Sequence, residues 1–360
     1  MTPMSRRPDT PLRRGWTTGA CAAAAAKAAF EGLHSGRFPS TVTIRLPRGE
    51  RPTFAIEQTG FGPETATAGV IKDAGDDPDV THGALIRVTL AKAAHGIRFL
   101  AGEGVGTVTR AGLPIPPGEP AINPGPRAMI TEALQDAAEA LCVPCAATVT
   151  IAIPGGEKLA ERTLNGRLGI VGGLSILGTT GIVTPYSCAA WVHSIHRGID
   201  VARAAGQHHI LGATGSTSEA AARALYALPD LALIDMGDFV GGMLKYLRKH
   251  PVQRVTIAGG FAKLAKLAQG HLDLHSGRSR VDLAGLAEDL QAVGAGQPLA
   301  AAAAAAVSAG EILEMAGEFE QPLSNRIAAA AAARCRRELS EAVTIDVAVF
   351  NRAGRLIGHA

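Results

Sequence analysis

His208-His-Ile-Leu-Gly-Ala-Thr-Gly-Ser-Thr-Ser218 decides how the second half of this chain is read. Residues 208–213 form a strand-like run, Gly212 and Gly215 punctuate its end, and the pattern predicts a helix over 218–226. The alternation then repeats, with a strand over 231–236, a helix over 239–249, a strand over 254–258 and a helix over 261–269. Regular β-α-β alternation calls for parallel strands, right-handed crossovers and a three-layer α/β sandwich. Alanine-rich helices over 299–315 and 327–339 follow, and a strand over 343–350 returns to a sheet.

Before residue 199 the character differs. Thr18 is read as the N-cap of an alanine-rich helix over 20–33, because a threonine side chain can accept from the first free N–H groups. Short β-patterned segments follow over 41–46, 53–57, 66–71, 85–90 and 106–110, with residues 47–50 as a hairpin turn. A helix over 127–141 and a strand over 148–153 complete the region. Strands in hairpin-like succession with few helices predict an α+β domain over 1–198, followed by the α/β domain over 199–360.

The 360 residues suffice for two domains and a sizeable core, and 47% hydrophobic against 19% charged content excludes disorder for most of the chain. Aromatics are only 4% while glycine numbers 43, so the core packs backbone against backbone through small side chains. A net charge of +3 with dispersed basic residues argues against a nucleic-acid partner. Five cysteines form no secreted disulfide pattern, and Cys142-Val-Pro-Cys145 lacks the second pair of a zinc site; both are read as small buried residues. His208, His209, His271 and His275 have no metal-ligand spacing with the cysteines, so no metal is assigned. Residues 1–14 contain no apolar leader, and the uncharged stretch 168–192 is too rich in glycine for a membrane helix. The expectation is a soluble cytoplasmic protein without membrane contact.

Three glycine-rich loops invite a ligand reading. Gly102-Glu-Gly-Val-Gly106 has nucleotide-fingerprint spacing, but a strand and loop follow where that motif needs a helix, so it is read as a tight turn or close backbone approach. Gly173 to Thr180 resembles a phosphate loop whose lysine is replaced by Thr179, which removes the charge that reaches the phosphates. Gly212-Ala-Thr-Gly-Ser216 is placed better, at a strand end opening a helix, where open α/β sheets bind ligands. Asp235 and Asp238 after the next strand, and Gly259 after the third, fall on the same edge. An acidic side chain there can accept ribose hydroxyls, which suits an adenosine-bearing cofactor. Gly212, Thr214, Gly215, Ser216, Asp235, Asp238 and Gly259 are therefore the candidate cofactor residues.

Asp73, Asp76, Asp77 and Asp79 crowd four carboxylates into Lys72-Asp-Ala-Gly-Asp-Asp-Pro-Asp-Val-Thr-His82. Each charge disfavours ionisation of the next, so a cation, backbone N–H groups or a base such as Lys72 must compensate. Turn chemistry accounts for such residues locally, and the spacing is not that of an EF-hand.

Three segments together resemble the CbiD family, the cobalt-precorrin-5B C(1)-methyltransferases of corrin-ring biosynthesis. They are Arg14-Gly-Trp-Thr-Thr-Gly-Ala-Cys21 with the alanines beyond, Gly69 to Gly83 with the aspartates, and Thr163-Leu-Asn-Gly-Arg-Leu-Gly-Ile170 running on to Val183. Weaker likeness continues through Gly237-Asp-Phe-Val-Gly241, Lys263-Leu-Ala-Lys266 and His275-Ser276. The family pattern sets Gly-His-x-Gly before the Lys-Leu pair, whereas Gly259-Gly-Phe-Ala262 stands here, so an imidazole is missing.

The resemblance implies an α+β domain joined to an α/β domain, and methyl transfer from S-adenosyl-L-methionine to C1 of a corrin precursor. It makes Asp73, Asp76, Asp77, Asp79 and His82 the candidate catalytic group, with orientation of pyrrole N–H groups, management of proton loss and attraction of the sulfonium all open. Thr17, Thr18, Lys72, Arg110, Arg167, Thr179 and Thr180 are the candidate substrate contacts, the basic ones pairing with the macrocycle's carboxylates. A non-catalytic tetrapyrrole carrier of the same pathway is the alternative, and a homo-oligomer is left open.

Overall fold

The computed structural model describes residues 11–360, which divide into one unit ending at Ser187 and another beginning at Cys188. Most of the 1–14 opening that was read as leaderless lies outside the described residues. Among the described residues no helix is long and apolar enough to cross a membrane, and none of their His, Cys, Asp and Glu side chains form a group of three or more suited to a metal ion.

The first unit contains β1 (Gly15–Trp16), α1 (Thr18–Ser35), β2 (Thr41–Thr43), β3 (Thr53–Ala55), β4 (Gln58–Phe61), β5 (Thr65–Ile71), β6 (Leu85–Lys92), β7 (Ile97–Ala101) and β8 (Thr107–Val108). It continues with α2 (Pro124–Leu141), β9 (Ala147–Ala152), α3 (Gly156–Ala160), β10 (Ile170–Val171) and β11 (Ile182–Val183). Its main sheet has the order β4-β5-β6-β9-β7, antiparallel except for the β7–β9 pair. Helix α1 packs on β5 and β6 and is covered by α2. Ala20 to Ala26 are each 0% exposed, Cys21 among them, so the first half of α1 is buried on every side. Only small side chains let a sheet and a second helix approach one helix that closely.

The N-cap of α1 is Thr17 and not Thr18: Thr17 Oγ1 accepts from Ala20 N at 3.2 Å. The turn at 47–50 forms between β2 and β3 as expected, with Leu46 N donating to Glu50 O at 2.9 Å. Strands β4 and β7 have no counterpart in the sequence reading. All four residues of β4 are exposed and β7 has no fully buried position, so neither shows a clean inward–outward alternation. The cysteine pair is also corrected: Cys142 is exposed in a left-handed C-cap at φ 55°, and Cys145 is half-buried.

The second unit contains α4 (Cys188–Ala204), β12 (His209–Ala213), α5 (Ser216–Tyr226), β13 (Leu233–Ile234), α6 (Val240–Lys249), β14 (Arg254–Gly260) and α7 (Phe261–Ala268). Then come α8 (Leu283–Ala292), α9 (Gln297–Ala304), α10 (Ala309–Met315), α11 (Glu320–Arg336), β15 (Thr344–Phe350) and β16 (Leu356–His359). The sheet order is β13-β12-β14-β15-β16, with four parallel strands and an antiparallel last one. Helix α5 covers one face, burying Ala222 with Leu211, Ala213, Ala258 and Phe350. Residues of α4, α6, α7 and α11 bury the other, around Ile210, Val255, Ile257 and Val347.

The helix read over 299–315 is two helices. Ser308 caps the second, its Oγ accepting from Glu311 N at 3.2 Å while Glu311 reaches back to Val307 N at 2.8 Å. This differs from a capping box only in that Glu311 reaches one residue beyond the cap, and it is hidden in an alanine run. Helix α4 has no counterpart in the sequence reading, which placed its first residues in a glycine-rich loop; the division between units falls before α4, not near 199.

Candidate functional site

Three stretches of the first unit meet at the N-terminus of α1. Trp16 N donates to Asp73 O at 2.7 Å, Thr17 N to Gly181 O at 2.9 Å and Gly19 N to Leu177 O at 3.2 Å. Strand β1 pairs with β11, which brings the end of the glycine-rich loop beside residues 15–16. The segment before α1, the aspartate loop and the loop through Thr179 and Thr180 are thus one backbone-bonded cluster. Thr180 Oγ1 accepts from Ile182 N at 3.2 Å and shapes its own turn, whereas Thr179 is exposed.

Within this cluster the four aspartates have separate tasks. Asp73 takes a two-pronged bond from the Arg13 guanidinium and a third from Gly75 N, which together hold its carboxyl low, at about 2. Asp76 accepts from Arg13 N at 2.6 Å while its own N–H donates to Arg13 O at 3.0 Å. Asp79 Oδ2 is 2.5 Å from Lys72 Nζ, and its Oδ1 accepts from Thr81 N and Oγ1 at 2.8 and 2.6 Å. Burial opposes ionisation of Asp79, but Lys72 and Thr81 outweigh it and the net shift is downward. Asp77 differs from all three: among the described residues Oδ1 accepts only the Tyr186 N–H, at 2.8 Å, and burial, the largest influence, pushes its carboxyl up.

Lys72 is a strut. It is 2% exposed and donates to Asp79, to Thr81 Oγ1 at 2.6 Å and to Thr18 Oγ1 at 3.3 Å. That geometry binds the aspartate loop to the first turn of α1, and leaves no free ammonium to clamp an outside carboxylate. Thr18 receives this lysine, and Thr17 caps the helix. His82 Nδ1 accepts from Ala74 N at 3.1 Å, and the ring props the loop. Arg13 and Tyr186 were missed in the sequence. Arg13 lies 60 residues from Asp73 and Tyr186 lies 109 from Asp77, beyond the reach of any spacing rule.

Arg110 is exposed, with its stem lying against Gly169, and Arg167 is half-buried and already engaged. The loop at Gly102–Gly106 is the close approach that its spacing suggested. Gly104 has φ 71°, and a Cβ there would lie 1.9 Å from Ile153 O; Glu157 Oε1 accepts its N–H at 2.7 Å. Only glycine fits.

In the second unit the sheet order β13-β12-β14 creates a topological switch point. The chain leaves β12 through α5 to a neighbour on one side, then returns past β12 through α6 to a neighbour on the other. Crevices of this kind, outside the carboxyl ends of parallel strands, are where open α/β sheets take ligands. Thr214, Gly215, Ser216 and Gly259 gather there: Thr214 N donates to Ala258 O at 2.9 Å, and a Cβ on Gly259 would be 2.8 Å from Thr214 Oγ1. Gly212 is instead buried within β12, where a Cβ would lie 2.5 Å from Met243 Sδ, and serves core packing. Asp235 and Asp238 reach the same edge but are engaged. Asp235 O accepts the Trp191 indole N–H at 3.0 Å, and the Asp238 carboxylate pairs with Lys263. Lys263 and the buried Lys266 both donate to Leu274 O, at 3.2 and 3.0 Å. Burial, then the neighbouring Lys263 charge, lowers the Lys266 ammonium.

The chain matches the CbiD family model over residues 5–185 and the model of the CbiD C-terminal domain over residues 273–360. A cobalt-precorrin-5B C(1)-methyltransferase of Bradyrhizobium sp. strain BTAi1 is 61% identical over 354 residues, spanning 98% of this chain and 94% of the relative. Those of Methylorubrum extorquens and Halorhodospira halophila are 58% and 55% identical, over 96% and 99% of this chain and 97% of each relative. A crystal structure of a cobalamin biosynthesis protein (cbiD) from Archaeoglobus fulgidus matches with 30% identity over 74% of this chain and 83% of that one, at a TM-score of 0.42. With both family models matched and relatives more than half identical along nearly their whole length, the chain belongs to the CbiD family.

Proposed function

We propose that this chain methylates C1 of cobalt-precorrin-5B to give cobalt-precorrin-6A in cobalamin biosynthesis, with S-adenosyl-L-methionine as methyl donor. Near full-length identity of 55–61% to relatives carrying that activity in their names carries the reading. We read the first unit as an α+β domain that holds the macrocycle and the second as an α/β domain that holds the donor. The switch-point crevice suits such a donor, because the start of α5 offers N–H groups at exposed Ser216 beside the strand ends. When bound, the sulfonium supplies an electrophilic methyl group.

What the protein contributes is position and electrostatics. Holding a nucleophilic ring carbon in line with the methyl removes translational and rotational entropy from the barrier. Exposed Arg14 and Arg110 are suited to pair with the macrocycle's carboxylates, whereas Lys72, Asp73, Asp76 and Asp79 make the frame. A cytoplasmic setting follows from the biosynthetic role.

The experiment is transfer of a labelled methyl group from S-adenosyl-L-methionine to cobalt-precorrin-5B, with calorimetry of the donor alone. Donor binding and a methylated product are expected. A folded protein that binds the corrinoid, ignores the donor and moves no label is a carrier, and overturns the proposal.

A further inference from the structure

Three family-like segments of the second unit, Gly237–Gly241, Lys263–Lys266 and the stretch leading into His275–Ser276, are drawn together by the fold. Leu274 N donates to Asp238 O and Gly241 N to Leu272 O, each at 2.9 Å. Lys263 and Lys266, one helical turn apart on α7, both donate to Leu274 O. The knot adjoins the switch-point crevice. Asp238 stands past the end of β13 with its carboxylate on Lys263, and a Cβ on Gly259 would lie 3.1 Å from Leu264 Cγ, between the two lysines in sequence. Resting on the reading of the second unit as the holder of the methyl donor, we infer that Lys266, with Lys263 beside it, binds the donor's α-carboxylate.

Charge carries the argument. Lys266 is 7% exposed, and a buried ammonium is costly unless an anion or a full set of acceptors compensates it. Its Nζ can donate three hydrogen bonds, and among the described residues one acceptor, the Leu274 carbonyl, meets it. That carbonyl is neutral and shared with Lys263, so the two ammonium groups lie within about 6 Å of each other. Of the neighbouring carboxylates, Asp238 is taken by Lys263 and Asp273 by Arg278, which leaves Lys266 without a counter-ion among the described residues. Burial and the Lys263 charge press its ammonium towards the neutral form, and Asp238 and Asp273 oppose them only in part. An incoming carboxylate supplies the missing charge and accepts the remaining N–H groups. The macrocycle's carboxylates suit the exposed arginines of the first unit, whereas the donor brings a single carboxylate to this edge at the end of its amino-acid chain.

The test is calorimetry with S-adenosylhomocysteine and with its decarboxylated form, which keeps the adenosine, thioether and amine, on the wild type, Lys266→Met and Lys266→Gln. A charge-assisted bond predicts that decarboxylation weakens binding to the wild type by about 10–100-fold. In both variants intact S-adenosylhomocysteine should weaken by a similar factor, while the decarboxylated form is held at least as well as by the wild type, so the preference disappears. Corrinoid affinity should stay at the wild-type value; its loss with the preference intact gives the lysines to the macrocycle and overturns the inference. A lysine that only ties Leu274 in place predicts that both donor analogues weaken together and the preference survives. That result, or a wild type indifferent to the carboxylate, overturns this assignment alone. Wild-type protein that binds neither analogue overturns the donor reading and the assignment together.

Discussion

Replacing Lys72 by Met tests whether the aspartate loop rests on a buried ion pair. The ammonium is 2% exposed and its partner Asp79 21%, at 2.5 Å. Removing one member of a buried pair costs about 3–5 kcal/mol, because the other charge is left uncompensated. Asp79 would keep its two Thr81 bonds and a fifth of its side chain in water, so the cost should lie at the low end, about 3 kcal/mol. Asp79→Asn should cost more, about 4 kcal/mol, since it strands the more deeply buried ammonium. The double variant should cost clearly less than the two added together, because neither stranded charge remains.

Urea unfolding of the four proteins gives the coupling directly, and its pH dependence has a definite sign. Asp79 is held below its ordinary value, so its contribution is complete above about 3.9 and is lost as pH falls through the folded-state value. The gap between wild type and Lys72→Met should therefore be full at neutral pH and close as the medium becomes acid. A Lys72→Met protein of wild-type stability with weakened corrinoid binding would refute the strut and restore the clamp that the sequence suggested.

Gly259→Ala puts a methyl group 2.8 and 3.0 Å from the two branches of Thr214 and 3.1 Å from Leu264 Cγ, so Thr214 must move as a whole; stability should fall by about 1–3 kcal/mol, and calorimetric donor affinity by about tenfold. Thr17→Ala removes the acceptor of Ala20 N and should cost about 1 kcal/mol in urea unfolding. Gly104→Ala meets backbone at 1.9 Å on a residue at φ 71°, a clash no rotamer relieves; unfolding should show a loss of about 3 kcal/mol or more.

The alternation of β12, α5, β13, α6, β14 and α7 was legible because each element carries its own period and is separated by turn residues. Helix α4 was not, since its start continues an uncharged glycine-rich stretch. The break between α9 and α10 was written in Ser308 and Glu311, but surrounding alanines, indifferent to the register of a helix, masked it. Around the candidate site, the need to compensate crowded carboxylates was plain from charge alone. Which cation answers which carboxylate was not, because Arg13 and Tyr186 reach the loop only through the fold.

From its residues alone this chain declared its family, the alternating second half, the small-residue core and the clustering of ligand-friendly glycines at strand ends. Those are local or linear properties: periodicity, helix capping and motif order survive in one dimension. Tertiary structure decided that Lys72 is internal, that three aspartates are frame and one is open, and that Gly259 lies beside Thr214 at a switch point. Burial and hydrogen-bond partnership are set by contacts between distant residues, and the charge state and availability of each site group depend on both.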